Sequence, residues 1–355
     1  MHRVMIHPAD YQSCRPAVER ALELFPLAMA GKKVLVKPNV LRAGRPEEGI
    51  TTHPALLEAV VRCLEELRPA EIIVGDNPGL MSYGANEASF EQCGLLEASR
   101  GHYRNIGLDS VERDFDPALL PRVSVSRAVL EADVFISLPK FKTHGLTILT
   151  GAIKNSYGIL PGAQKAMLHR LAGTPRRFHE VVVDVFNLRV PDLFIVDAVV
   201  GMEGNGPASP DLRHIGQVLA ADNAVALDAV IARMMGLDPG ALRFLQKARE
   251  LGLGDYDSQA IQVIGQPPEL PGFKLPPLGG EAILGNQAIQ GLMHSRSQVR
   301  PQADPDKCTA CGYCVEHCPV QALSMEDALP HVEAQLCIAC FCCQEMCPEK
   351  AMTLV

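Results

Sequence analysis

The chain has 355 residues, of which 47% are hydrophobic and 21% charged, and its formal net charge is −8. This is the composition of a soluble globular protein with room for more than one domain. An acidic balance argues against nucleic acid as the main partner, because phosphate binding needs a basic face, and no apolar run approaches the roughly 20 residues of a membrane-spanning helix.

The opening segment, Met1 to Gln12, carries His2, Arg3, His7 and Asp10 and lacks an apolar core. It therefore predicts no secretory signal, with the cytoplasm as the default compartment. Short apolar runs then predict strands at Lys33–Val36, Ile72–Gly75, Val134–Leu138, Phe194–Val199, Gln217–Ala221 and Ala260–Ile264. Between them, helical periodicity predicts Pro54–Leu67, Phe178–Arg189 and Ala224–Met235. Pro54 suits a first helical turn, and His53 or Thr52 reads as its cap. Strands alternating with helices predict an α/β fold, a mainly parallel sheet with helices on both faces.

Polar residues follow these strands: Lys37-Pro38-Asn39, then Asp76-Asn77, then Lys140 to Gly145, then Asp197 with Glu203 and Asn205. Ligands of open α/β sheets bind outside the carboxyl ends of the strands. Lys140, Lys142, His144, Lys154 and Asn155 make a donor-rich stretch inside an acidic chain, and a lysine buried without a partner is costly. The expected site is a pocket for phosphate or carboxylate groups, the alternative being a solvated loop. The catalytic candidates are Lys154, His144 and Lys140, with His144 as proton donor. The binding candidates are Lys37, Asn39, Asp76, Lys142, Asn155, Asp197, Glu203 and Asn205. A nicotinamide-type G-x-G-x-x-G, a Walker A lysine and a G-x-S-x-G elbow are all absent.

Toward the C-terminus, residues 296–305 read as a linker between a domain at 1–295 and a module at 306–355. Nine of the twelve cysteines fall in that module. Cys308-x2-Cys311-x2-Cys314-x3-Cys318-Pro319 recurs 29 residues later as Cys337-x2-Cys340-x2-Cys343-x3-Cys347-Pro348. Three thiolates two residues apart wrap one cluster, and the fourth reaches the neighbouring one. The spacing therefore predicts two [4Fe–4S] clusters, one on Cys308, Cys311, Cys314 and Cys347, the other on Cys337, Cys340, Cys343 and Cys318. Structural zinc would favour two pairs of thiolates. Cys342 stands where the first repeat has Tyr313 and reads as a spare thiol.

The module resembles a bacterial two-cluster ferredoxin. The runs Lys37-Pro38-Asn39, Thr52-His53-Pro54, Gly75-Asp76, Lys140-x-Lys142-x-His144, Lys154-Asn155-x-Tyr157-Gly158 and Asp197 to Gly206 resemble domain of unknown function 362, whose members often carry such a module. A more distant likeness, to the nucleotide-cofactor-binding half of lactate racemases, is not matched at that family's catalytic histidines. The resemblance implies a low-potential iron–sulfur protein of anaerobic metabolism. The reading that results is a reductase taking electrons from a soluble donor or acceptor protein and passing them to a small anionic ligand, or to an additional organic redox cofactor. An accessory protein for another enzyme and a plain electron carrier are the rivals.

Overall fold

The computed structural model describes residues 1–79, 85–276, 300–337, 340 and 342–354. Its first eleven strands are β1 (His2–Pro8), β2 (Lys33–Pro38), β3 (Glu71–Val74), β4 (Ser110–Asp114), β5 (Arg122–Ser126), β6 (Val134–Leu138), β7 (Lys140–His144), β8 (Ile148–Thr150), β9 (Leu193–Met202), β10 (Leu212–Ala221) and β11 (Ile261–Ile264). Nine of these form one sheet, in the order β11-β1-β10-β9-β6-β2-β3, with β7 also paired to β9 and β8 to β7. The pairs β2–β3, β2–β6, β6–β9, β7–β9 and β1–β11 are parallel, whereas β9–β10, β1–β10 and β7–β8 are antiparallel. The remaining two, β4 and β5, pair as a separate hairpin.

Side chains alternate across a strand, and the two faces of β2 show it. Val34 and Val36 pack with Leu56 and Val60 of the helix Pro54–Glu66, while Leu35 joins a second core with Val181 of the helix Pro175–Leu188 and Leu227 of the helix Ala224–Met234. All five residues of β6 are buried, which is why that strand reads as an unbroken apolar run. The helices on both faces match the expected architecture. His53 does cap Pro54–Glu66, its Nδ1 accepting from the Ala55 N–H at 3.2 Å.

Five of these strands, β1, β4, β5, β7 and β8, lie outside the expected set, and β1 and β7 show why. β1 is short on apolar residues, with only Val4, Met5 and Ile6 buried, and its place is set by pairing with β10 and β11 rather than by periodicity. β7 occupies residues for which no strand was expected, where the reading was a strand-end pocket with a solvated loop as the alternative. β9 runs on to Met202, beyond the expected end at Val199, and β7 pairs with it at Asp197 and again at Met202 on this extension. Lys140 and Lys142 are each only 1% exposed, so the solvated-loop alternative does not hold.

The C-terminal module contains β12 (Pro301–Ala303), β13 (Leu323–Glu326), β14 (Leu329–Val332) and β15 (Met352–Leu354), with short helices at Tyr313–Glu316 and Cys342–Met346. β12 pairs with β15 and β13 with β14. β12 lies within the stretch read as linker, whose residues 296–299 are outside the described residues. Among the described residues no helix is long and apolar enough to cross a membrane.

Candidate functional site: a lysine-lined cavity beside the cysteine module

The carboxyl ends of β2, β3 and β7 face a cavity of about 90 Å³ of water-accessible volume. Lys37, Lys142, Lys154 and Lys165 line it, together with Asp76, His144, Thr150 and Asn155. The C-terminal module closes one side with His317, Cys342, Glu345 and Met346.

The cations are held differently. Lys37 is fully buried and pairs with Asp76 at 2.7 Å. Asp76 also accepts from the Val40 and Asn77 N–H groups, each at 2.8 Å, so the carboxylate is saturated by backbone and lysine together. Asn155 joins the group, its Oδ1 accepting from Asn39 Nδ2 at 3.0 Å and its Nδ2 donating to Ser137 Oγ at 2.9 Å. Lys142 donates to the Ile50 carbonyl at 2.7 Å, and Lys165 donates to the carbonyls of Asn77 and Pro78. Burial, the largest cause in each case, lowers Lys142 and Lys165 to about 7. Lys154 lies over the rings of Tyr157 and Phe178 at 5.6 and 6.0 Å, and among the described residues its Nζ has no hydrogen-bond or ion-pair partner.

Local structure explains why Lys154 points here. Asp228, on the largely apolar helix Ala224–Met234, accepts from the Ala152 and Ile153 N–H groups at 2.6 and 3.0 Å. It thereby anchors the helical turn Ala152–Asn155 that carries Lys154 and Asn155. A Cβ on Gly151 would sit 2.1 Å from Asp228 Oδ1, which requires glycine at that position. Gly158 is constrained in the same way, since its Cβ would lie 2.2 Å from Asp76 Oδ1 and 2.7 Å from Lys37 Nζ. Gly158→Ala will therefore separate that ion pair and lower the urea midpoint of the protein, a loss of about 1–3 kcal/mol by the usual cost of overpacking. An unchanged midpoint would show that the pair can move aside.

His144 is a neutral donor rather than an acid. Its Nδ1 accepts from the Leu146 and Thr147 N–H groups at 3.0 and 3.2 Å, which leaves the proton on Nε2. Burial, followed by the Lys154 charge, lowers its pKa to about 4. Nε2 lies 3.0 Å from Glu345 Oε1 of the cysteine module, and neither atom has a hydrogen-bond partner in line.

The sequence reading groups Lys140, Asp197, Glu203 and Asn205 with these residues, and the fold does not. Lys-x-Lys-x-His alternation would place Lys140, Lys142 and His144 on one face. The β7–β9 register is irregular between Lys140, opposite Asp197, and Lys142, opposite Met202, and such irregularities re-aim side chains. Lys140 instead pairs with Asp197 at 2.8 Å and donates to the Tyr11 hydroxyl at 2.9 Å, with His53 stacked on Tyr11. Glu203 is bound by Arg213 at 2.7 Å. The Asn205 carbonyl accepts from Gln344 Nε2 at 2.7 Å, a contact that seats the C-terminal module. Lys165, Glu345, Thr150 and Asp228 were not legible as site residues. Asp228 alone had a signal, a carboxylate on an apolar helix.

The cysteines fall in two neighbourhoods. Cys308, Cys311, Cys314 and Cys347 line one pocket with Met325, Pro330 and Met352. Cys314 interacts electrostatically with Cys347 and Cys311, whereas Cys343 interacts with Cys340, Cys337, Cys314 and Cys318. Among the described residues no three His, Cys, Asp or Glu side chains converge closely enough to hold a single metal ion. Thiols ringing an apolar space fit an iron–sulfur cubane, which spreads its ligands.

A 4Fe-4S binding domain matches residues 301–324. A thylakoid-associated protein of Synechocystis sp. is 32% identical over 256 residues, which are 69% of this chain and 77% of that one. Among solved structures, a Thermotoga maritima protein is similar at 13% identity and a TM-score of 0.39, over 69% of this chain and 59% of that one. The lactate racemase apoprotein of Thermoanaerobacterium thermosaccharolyticum is similar at 13% identity and a TM-score of 0.38, over 62% and 54%. The chain thus spans less than two thirds of either solved structure. The family described as Domain of unknown function (DUF362) matches residues 34–233, and with that match over more than half its length the chain belongs to this family.

Proposed function

We propose that the protein is an iron–sulfur reductase that passes electrons through two [4Fe–4S] clusters to a small anionic ligand in the lysine-lined cavity. One observation carries this reading. The helix Cys342–Met346, which holds Cys343 and ends beside Cys347, also supplies Cys342 and Glu345 to the wall of the cavity. The anion site and the thiolates thus share one short element. A [4Fe–4S] cluster supplies single electrons at a potential set by its surroundings.

The chain's own residues bind and protonate. Lys154 takes the ligand's negative charge, and Lys37, held by Asp76, adds positive potential behind it. Lys142 and Lys165, each at about 7, are better matched than His144 to give a proton at neutral pH. This cavity leaves Lys140 without a role. We place the protein in the cytoplasm with a soluble electron donor or acceptor as partner. The thylakoid association named for the Synechocystis relative is a property of that protein.

The test is electrochemical. Purified without oxygen, wild type and Lys154→Ala will hold the same iron. In an EPR-monitored redox titration, sulfate will lower a cluster potential of the wild type, because a nearby anion opposes added negative charge. It will leave Lys154→Ala unshifted. No shift in the wild type would mean that ligand and clusters are uncoupled, and would leave accessory action on a partner enzyme as the better reading.

A further inference from the structure

Resting on the reductase reading for its direction, we infer that the two cysteine sets have fixed and different places in the electron path. Cys337, Cys340, Cys343 and Cys318, the inner set, hold the cluster that serves the cavity. Cys308, Cys311, Cys314 and Cys347, the outer set, hold the cluster that faces the electron donor.

The inner set touches the cavity wall. Cys343 follows Cys342 and Cys318 follows His317, and both of these neighbours line the cavity. Cys342 is hydrogen-bonded to Cys340 through their side chains. A ligating thiolate carries no proton, so Cys342 is the donor of that bond. On its other side Cys342 acts electrostatically on Lys154 and Tyr157, and Cys340 acts on Tyr157 as well. Lys154 lies over the Tyr157 ring at 5.6 Å. A thiol and a phenol ring thus connect Lys154 with Cys340.

The outer set opens elsewhere. Its four cysteines line a pocket made wholly of module residues, among them Tyr313, Met325 and Pro330. Met346, the residue before Cys347, does reach the cavity. Cys347 itself is turned into the module pocket, where its Sγ accepts from the Ala351 N–H at 3.2 Å. Cys311 is the one exposed cysteine of the eight, and Thr309 and Ala310 beside it are exposed too. Cys340 and Cys343 are 7% and 6% exposed. Cys308, Cys318 and Cys337 are half-buried and do not separate the sets.

Electron transfer weakens steeply with distance, so a carrier protein docks at the outer set and the cavity's ligand meets the inner one. One electron leaves a reduced one-electron carrier protein, which is thereby oxidised. It passes through the outer cluster, the inner cluster and the ligand in turn, each site being oxidised as the next is reduced. Hydrogen bonds to the sulfurs and nearby charge set cluster potentials. The Cys342 thiol and the Lys154 amine both raise that of the inner cluster.

The experiment is an EPR-monitored redox titration of the anaerobically purified protein in chloride buffer at pH 6, on wild type, Lys154→Met and Cys342→Ala. Each variant should lower the same one of the two potentials. Lys154→Met removes a positive charge, and Cys342→Ala removes a hydrogen bond to a ligating sulfur. The expected shift is about tenfold in the reduction equilibrium, or 59 mV for one electron, with the other potential in place. Cys311→Ala removes a ligand of the outer set and Cys337→Ala one of the inner, whichever fourth cysteine each set uses. The shift should persist in the Cys311→Ala background and vanish from the Cys337→Ala one. Where a cysteine variant loses all its iron, dysprosium–EDTA assigns the clusters in the full protein, because it relaxes spins near the surface. It should broaden the signal of the cluster that Lys154→Met and Cys342→Ala leave in place more than that of the one they shift. A shift confined to the other cluster, equal shifts of both, or no shift with either variant would overturn the inference. The expected shift of the inner cluster, together with no response of either potential to sulfate, would instead overturn the reductase reading and leave the placement of the two sets standing.

Discussion

Replacing Asp76 by alanine will destabilise the protein by about 3–5 kcal/mol, the usual cost of leaving a buried charge without its partner. Lys37 is fully buried and Asp76 is 2% exposed, so water cannot take over from the missing carboxylate. Two backbone N–H groups, of Val40 and Asn77, lose their acceptor in the same substitution. Lys37→Met combined with Asp76→Asn should recover part of the loss, because the buried charge is gone and the amide oxygen still accepts from one of the two N–H groups.

The defect should also depend on pH with a definite sign. Burial lowers Lys37 from its usual 10.5, opposed by Asp76. Without Asp76 the lowering deepens, and the folded state gives up the proton more readily than the unfolded one. Stability of Asp76→Ala should therefore rise as pH climbs through the folded-state pKa toward 10.5, the range in which only the unfolded chain keeps the proton. Urea unfolding of the holoprotein across that range measures both effects. A cost below about 1 kcal/mol would mean that Lys37 is held well enough by its other acceptors, the Pro38 carbonyl at 3.1 Å and Asn155 Oδ1 at 3.4 Å.

The second large effect concerns iron. Cys347→Ala should remove the cluster of the first repeat and Cys318→Ala that of the second, each halving the iron per chain. Double variants make the crossing of the two repeats visible. Cys308→Ala with Cys347→Ala should lose no more iron than either change alone, since both residues face one pocket. Cys343→Ala with Cys347→Ala should lose nearly all of it. Retention of half the iron in this last variant would show that each repeat binds its own cluster without exchange. Iron analysis and EPR spin counting of anaerobically purified protein decide between the two.

Much of this molecule was readable without coordinates. The strand Val134–Leu138 and the helices at Pro54 and Ala224 stood out because they bury continuous apolar faces, and burial writes periodicity into local sequence. The cysteine ligands stood out because cluster geometry imposes a spacing on neighbouring residues. Lys37, Lys142 and Lys154 were picked by strand-end position and by the cost of burying an unpaired amine. Only the tertiary structure could place the rest. An irregular register between β7 and β9, a property of two paired strands, took Lys140 from the cavity and gave it to Asp197. Lys165 from one helix and Glu345 from the distant C-terminal module entered the site through packing, which leaves no local signature. Asp228 acts from a third helix, through two backbone hydrogen bonds that aim Lys154. Periodicity and spacing are short-range and survive in one dimension. A site assembled from five segments across more than three hundred residues depends on contacts that form only when the chain closes on itself.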